Sequence, residues 1–213
     1  MRKLTLTLAT AAGLAVLSIG TLQAQGGPPA IPGQMDRSRV EAGTYKSDKA
    51  HSLVGFRYNH LGFNDYFGIF GDVDATLTLD PANLASAKVD AMIPISPTVA
   101  SQAFRDHLLR PGQNGGKPDF FGPNQTAAHF VSTSVAANGN NATINGDLTM
   151  NGVTKPVTIA AQFTGAGNSM QGKKTVGFEG TATIKRSDFG LGTFVPAVGD
   201  EVELQITMAF EKQ

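Results

Sequence analysis

The chain has 213 residues, no cysteine, and 17 basic against 17 acidic residues, so its formal net charge is zero. This balance disfavours nucleic acid and anionic membrane surfaces as partners, because both need clustered Lys and Arg. The lack of cysteine excludes disulfides, thiolate nucleophiles and Cys-ligated metals.

The first 24 residues have the pattern of a secretory signal peptide. A basic pair at 2–3 precedes a mostly apolar run at 4–19, and Ala24 supplies a small residue at the expected cleavage point. The run is short and diluted with Thr, which disfavours the alternative of a membrane anchor. Cleavage after Ala24 leaves 15 basic against 17 acidic residues. We therefore expect a periplasmic or secreted protein, with no membrane span in the mature chain.

Residues 25–42 (QGGPPAIPGQMDRSRVEA) mix Pro, Gly and charge without apolar periodicity. Such composition is typical of a flexible leader with little to bury. We place the folded domain at 43–213, a length that suits one domain with a large core.

Beyond residue 43 the main signal is alternation of apolar and polar residues, which is typical of half-buried strands. It is clearest at the C-terminal end, where Val202, Leu204 and Ile206 alternate with Glu203 and Gln205. Turn residues separate the alternating segments, so neighbouring strands should pair. Eight strands are predicted, at 51–61, 73–79, 87–95, 128–136, 142–150, 157–163, 174–185 and 202–210.

One stretch departs from this alternation. Apolar residues in 99–109 recur at helical spacing, which predicts a short helix. The following segment, 112–124 (GQNGGKPDFFGPN), has the composition of a long loop, yet it contains Phe120 and Phe121. Two adjacent phenylalanines are unusual in a solvated loop.

The predicted fold class is therefore all-β, an eight-stranded antiparallel barrel with one short helix and a long loop. Eight antiparallel strands can close into a barrel whose interior either fills with side chains or holds one small ligand. A two-sheet sandwich is the rival fold. Small residues at candidate interior positions favour a barrel with room inside: Ala75, Ala91, Ala136, Ala161, Gly180 and Ala182.

Several segments, which together span most of residues 45–210, resemble the YceI family of periplasmic, lipocalin-like proteins. The most specific is Gly146–Thr158 (GDLTMNGVTKPVT). The others are Tyr45–Phe56, Gly68–Gly71, Phe104–Leu108 with Asp119–Phe121, and Arg186–Leu191 with Val198–Val202. The chain departs from the family pattern in the Gly-rich piece 112–117 and in Ala127-Ala128, where the family often has a proline.

This resemblance implies a lipocalin-like barrel around a long apolar pocket that takes polyisoprenoid, quinone-like or fatty-amide ligands. No reaction and no cofactor are implied. Inward residues from different strands, with a lid formed by Phe104, Leu108 and Phe121, are the expected lipid contacts. The expected strand contacts are Phe56, Leu77, Ile93, Phe130, Leu148, Ile159, Phe178 and Ile206.

A polar head group would need donors near the barrel mouth. Arg105 and His107, on the predicted helix, are the first candidates, and Arg186 is a third. For Arg186 a structural ion pair with a nearby Asp is the favoured alternative.

Two other functions stay open beside lipid binding. An enzyme acting on such a lipid could use His51, His60, His107 or Asp188 as acid or base, although no catalytic residue is assigned. The four histidines of the chain, which include His129, show no metal-ligand spacing, and no metal site is predicted. An envelope interaction protein with a filled barrel is the other alternative. A homodimer is a further candidate assembly.

Overall fold

The structure, a computed structural model, describes residues 30–213, and the expected signal peptide at 1–24 lies outside the described residues. Residues 31–213 form one compact unit. Its strands are β1 Gly43–Ser47, β2 Leu53–His60, β3 Asn64–Phe70, β4 Asp74–Leu79, β5 Lys88–Ile93, β6 Pro97–Val99, β7 Ala128–Asn138, β8 Asn141–Met150, β9 Val153–Asn168, β10 Lys174–Lys185 and β11 Glu201–Lys212. Helix α1 is Gln102–Leu109, and 3-10 turns lie at Arg37–Arg39, Lys49–His51, Leu84–Ser86, Gln113–Gly115 and Arg186–Phe189.

The strands form eight staves of one closed antiparallel barrel, where a stave is one pass of the chain along the barrel wall. Three staves are interrupted, so that β1 and β2, β3 and β4, and β5 and β6 each act as one bent stave. The ring runs β1-β4-β5-β7-β8-β9-β10-β11, and β11 closes it by pairing with β1. The other half of β11 pairs with β2, and β3 and β6 follow outward from there. A closed ring rules out the sandwich alternative.

Ser52 joins the two halves of the first stave to β11. The side chain is fully buried. Its Oγ donates to the carbonyl of Ala209 and accepts from the amide of Ala209, each at 3.3 Å. The Ser52 hydroxyl thus replaces a backbone hydrogen-bond partner at the point where the strand paired with β11 changes from β1 to β2.

All eight predicted strands are present, within a few residues of the predicted bounds. The predicted helix begins later, at Gln102, because the Oγ of Ser101 accepts from the amide of Phe104 at 3.2 Å and caps the first turn. The alternation of residue types did not reveal three strands, β1, β3 and β6.

Two interior phenylalanines lie flat over glycines on neighbouring strands. A Cβ at Gly68 would be 2.5 Å from the ring of Phe56, and a Cβ at Gly146 would be 2.4 Å from the ring of Phe130. These contacts are closer than any real Cβ allows. The glycines are therefore required so that both rings can lie against the barrel wall.

We expect Gly146→Ala to lower the free energy of unfolding by about 1–3 kcal/mol, because overpacking displaces the Phe130 ring. Denaturant melts measure this loss. Gly33→Ala is the control, because a Cβ there meets nothing within 4 Å. Equal free energies of unfolding for the two variants would contradict the packing argument.

The leader was expected to be flexible, but from residue 31 onward it belongs to the barrel unit. Gln34 forms an isolated bridge with Ala166, with N–O distances of 3.0 and 2.8 Å. The hydroxyl of Tyr45 donates to the carbonyl of Glu41 at 2.6 Å, and Val40 packs against the core. Main-chain hydrogen bonds hold this segment, and composition does not reveal them.

A chain that starts at Gly43 should therefore be less stable by about 2–3 kcal/mol. It lacks the two main-chain bonds of Gln34 and the bond from Tyr45 to Glu41, each worth about 1 kcal/mol, whereas the exposed side-chain contacts of Arg37, Arg39 and Glu41 add little. A chain that starts at Ala30 keeps all described contacts and is the control. Urea titrations of both chains give the difference, and coincident curves would show that the leader adds nothing.

Candidate functional site

Three cavities lie in a row along the barrel axis. The first, the helix-end cavity, has a volume of about 140 Å³ and is bordered by α1. The middle cavity has about 140 Å³ and shares Val54 and Ile93 with the first. The leader-end cavity has about 350 Å³ and lies beside Arg37 and Val40. The middle cavity shares wall residues with each of the other two, which share none with each other, so the three lie in a row.

The interior is hollow, and the side chains show it. In a filled barrel every inward apolar residue would be buried. Here a set of inward residues keeps an intermediate exposure although the barrel is closed around them, because they border empty volume. They are Val54, Ile93, Ile144, Ile159, Phe178, Ile184, Val202, Leu204 and Ile206.

All eleven residues predicted to contact lipid line these cavities. Whether they touch a lipid stays a prediction, because the structure holds no ligand. Those at the helix-end cavity are Phe56, Ile93, Leu148, Phe104, Leu108 and Phe121. Those at the middle cavity are Leu77, Ile93, Phe130, Ile159, Phe178 and Ile206.

The three residues of the predicted lid differ in burial. Phe104 is partly exposed and stacks on Phe56 at 5.6 Å and on Tyr66 at 4.8 Å between ring centroids. Phe121 is also partly exposed. Leu108 is buried inside a core cluster. Leu108 is thus a core residue that also reaches the cavity, whereas the two phenylalanines cover its end.

The two helix residues expected to meet a head group have other partners. Arg105 donates to the carbonyl of Ala100 at 2.8 Å and to Gln102 at 3.0 Å. The Nε2 of His107 lies 2.8 Å from the Oδ2 of Asp119, and the hydrogen bond lowers the pKa of that carboxyl. Neither residue lines one of the three interior cavities. The geometry therefore gives no support to either as a head-group ligand.

Arg186 is the third expected head-group residue, and it is buried at the cavity edge. Its guanidinium donates to the carbonyls of Leu191, Thr193, Val198 and Gly199. Burial lowers its pKa. Four backbone acceptors occupy its donors, so the side chain holds the loop before β11 in place.

Tyr58 is a residue at the cavity that the sequence analysis missed. It lines the helix-end cavity, and its ring stacks near Tyr66 at 5.7 Å. Burial is the main cause that raises the pKa of Tyr58 to about 12, so its hydroxyl is protonated at neutral pH. Within residues 30–213 no group hydrogen bonds to that hydroxyl. Side chains alternate along a strand, so the pattern that places Phe56 inward also places Tyr58 inward, and it could have predicted this residue.

The remaining polar groups do not converge on a reactive centre. His51, His107 and His129 each lie 2.7–2.8 Å from a different Asp. Among residues 30–213 no cluster of three His, Cys, Asp or Glu side chains could hold a metal. The same part of the chain contains no helix long and apolar enough to cross a membrane.

A larger hollow, of about 940 Å³, lies against the outside of β2, β3, β10 and β11. Its wall includes Arg57, Glu179 and Glu203, and it is shaped by the curve of the sheet. Its wall also includes the apolar Leu53 and Phe67, but the hollow is open to solvent and does not enclose a ligand. The interior row is therefore the better candidate site.

Comparisons with known proteins agree with this architecture. The family model described as a YceI-like domain matches residues 45–210. A UPF0312 protein of Pseudomonas paraeruginosa is 43% identical over 171 residues, which are 78% of this chain and 86% of that protein.

Two solved structures extend the comparison. BcnA of Burkholderia cenocepacia has a TM-score of 0.64 at 28% identity, covering 76% of this chain and 98% of that one. A polyisoprenoid-binding domain from Saccharophagus degradans has a TM-score of 0.54 at 11% identity, covering 79% and 98%. The second likeness concerns the fold alone.

Arg186→Lys should lower the free energy of unfolding by about 3 kcal/mol, because a Lys ammonium cannot serve all four carbonyls and each lost charged hydrogen bond costs about 1.5–3 kcal/mol. Denaturant titration tests this. Arg105→Lys, on the partly exposed helix, is the matched control and should cost about 0.5 kcal/mol or less. If Arg186→Lys lowered the free energy of unfolding no more than Arg105→Lys does, the loop would not depend on the guanidinium.

Proposed function

Because this chain belongs to the YceI-like domain family, we propose that its barrel binds one long-chain lipid and carries or stores it in the periplasm. The ligand class is an isoprenoid, a quinone-like lipid or a fatty amide. The row of three adjoining cavities along the axis of a closed barrel carries this proposal. An elongated apolar interior suits a chain-like ligand, whereas a compact ligand would leave most of the row empty.

The size of the interior is consistent with useful affinity. If about 400 Å² of apolar lipid surface left water, the gross gain would be about 10 kcal/mol. Loss of translational and rotational freedom, together with ordering of the lipid chain, costs at least about 4 kcal/mol. The difference, about 6 kcal/mol, corresponds to a dissociation constant of about 40 μM, and a ligand that buries more apolar surface would bind more tightly.

Other observations support binding rather than the two alternatives. The histidines proposed as acids or bases lie apart, and none of them lines one of the three cavities. A ligand-free interaction protein would have a filled core, but Ile159, Phe178 and Ile206 border open volume. The Saccharophagus domain described as binding polyisoprenoid has the same fold, and its ligand class enters here as part of the proposal.

The periplasmic location rests on the signal-peptide pattern of residues 1–24. The direct experiment is native mass spectrometry of the protein purified from the periplasmic fraction, followed by extraction and identification of the bound lipid. Recovery of ligand-free protein that also fails to bind quinones and polyprenols would contradict the proposal.

The double variant Phe104→Ala with Phe121→Ala should bind a polyprenol or quinone at least tenfold more weakly, about 1.4 kcal/mol. The reason is that these partly exposed rings cover the helix-end cavity. The measurement is titration of delipidated protein, with parallel denaturant melts.

Phe189→Ala is the matched control. Phe189 is 1% exposed and lines none of the three cavities. Its loss should cost about 3–5 kcal/mol of stability and leave affinity unchanged. If the lid variant is as unstable as this control and binds normally, Phe104 and Phe121 are core residues.

A further inference from the structure

Two loops lie side by side at the helix end of the barrel. One joins β2 to β3 at residues 61–63, and the other precedes β11 at residues 190–200. The amide of Leu61 donates to the carbonyl of Ala197 at 3.0 Å, and His60 forms a bridge with Val198. The two loops therefore present one surface.

This surface is apolar and exposed. Phe63 is 88% exposed, Phe194 50% and Leu61 49%, and Val195 is exposed beside them. We name these four residues the tip surface. Neither 58–64 nor 189–199 contains an Asp, Glu, Lys or Arg. Isolated exposed apolar residues are common, but a contiguous uncharged group of them marks an interaction site.

Two residues of the tip surface have a backbone conformation that large side chains rarely adopt. Leu61 has φ 57° and Phe194 has φ 68°, both in the left-handed region. Bulky residues are rare there, and Asn or Gly would fit at lower cost. The tip surface thus keeps two large apolar side chains where both solvent exposure and backbone conformation disfavour them.

The tip surface adjoins the rim of the helix-end cavity. Val198 lines that cavity, and its amide donates to the carbonyl of Phe194 at 2.8 Å. The imidazole of His107 lies 6.1 Å from the Phe194 ring and 5.0 Å from the ring of Phe120, a cavity residue. A ligand that enters between the partly exposed Tyr58 and Phe120 would pass directly beside the tip surface.

We propose that the tip surface inserts into the surface of a phospholipid bilayer, so that the helix-end cavity opens toward the membrane. The proposal rests on the proposed function for its purpose, because a lipid that barely dissolves in water must pass from membrane to barrel. Aromatic and aliphatic side chains that enter the acyl boundary gain free energy in proportion to their buried apolar area.

A bilayer fits this surface better than a second copy of the chain does. A stable dimer needs about 800 Å² of complementary surface on each partner, whereas the tip surface consists of two protruding loop tips. A fluid bilayer needs no complementary shape. The absence of Asp, Glu, Lys and Arg from residues 58–64 and 189–199 also predicts that docking depends little on ionic strength.

The test uses the mature protein and sedimentation with vesicles of phosphatidylcholine, free of any quinone or polyprenol. The tip variant is Leu61→Asn, Phe63→Ser and Phe194→Asn. Asn tolerates the left-handed region, so this variant should keep its unfolding midpoint. Its partition onto vesicles should fall at least tenfold, and wild-type partition should be the same at low and high salt.

The control variant carries Met35→Ser and Met170→Ser. Both methionines are exposed, Met170 at 94%, and both lie toward the leader end of the barrel. This variant should bind vesicles as wild type does. Titration of a short-chain, water-soluble quinone in the absence of vesicles should be unchanged in both variants.

The outcomes separate the docking proposal from the proposed function. Loss of vesicle binding only in the tip variant, with quinone affinity intact, supports docking. Failure of wild type to bind vesicles, equal binding by the tip variant, or loss in the control variant overturns it. A wild-type dimer that the tip variant dissolves, without vesicle binding, assigns the surface to a second copy. Absence of quinone binding with normal docking overturns the function alone.

Discussion

Closure of the ring by β11 is the constraint on which the rest of the structure depends. One edge of this strand pairs with β10 along eleven residues, and the other edge is divided between β1 and β2. The hydroxyl of Ser52 bridges the point of division. Because both edges of β11 are paired, this strand offers no free edge to another chain. The wall is therefore held by main-chain hydrogen bonds and does not require a filled interior.

A wall of this kind permits the interior to stay hollow. Packing is concentrated in two clusters, one around Tyr45 and Phe163 and one around Phe189 and Leu191. Between them, the middle cavity is lined by side chains that have contacts on the wall side and empty volume on the other. Such residues gain less from folding than a packed core residue does. A bound lipid would supply the missing contacts, which makes ligand binding and stability thermodynamically linked.

The sequence predicts the wall well and the ends poorly. Alternation reveals eight staves because period two is a property of each strand alone. It misses β3, where Phe67 points outward and Gly68 occupies the inward position beneath the Phe56 ring. It also misses the ordered leader, which main-chain bonds hold, and it assigns Arg105 and His107 to a head group because partners such as Asp119 become neighbours only after folding. Interior positions follow from local pattern, whereas polar contacts follow from tertiary structure.

The two ends of the barrel then suggest how a ligand is oriented. At the leader end the wall includes Arg37, Asn140 and Asn141, and the segment 31–42 lies across the barrel. A hydrocarbon tail gains little by reaching those groups. At the helix end the cavity is bordered by α1 and by the partly exposed rings of Phe104 and Phe121. A lipid placed with its tail in the middle cavity has its hydrocarbon against apolar side chains. The polar end then lies at the mouth beside the exposed apolar loops, which is the orientation that a head group at a membrane surface would already have.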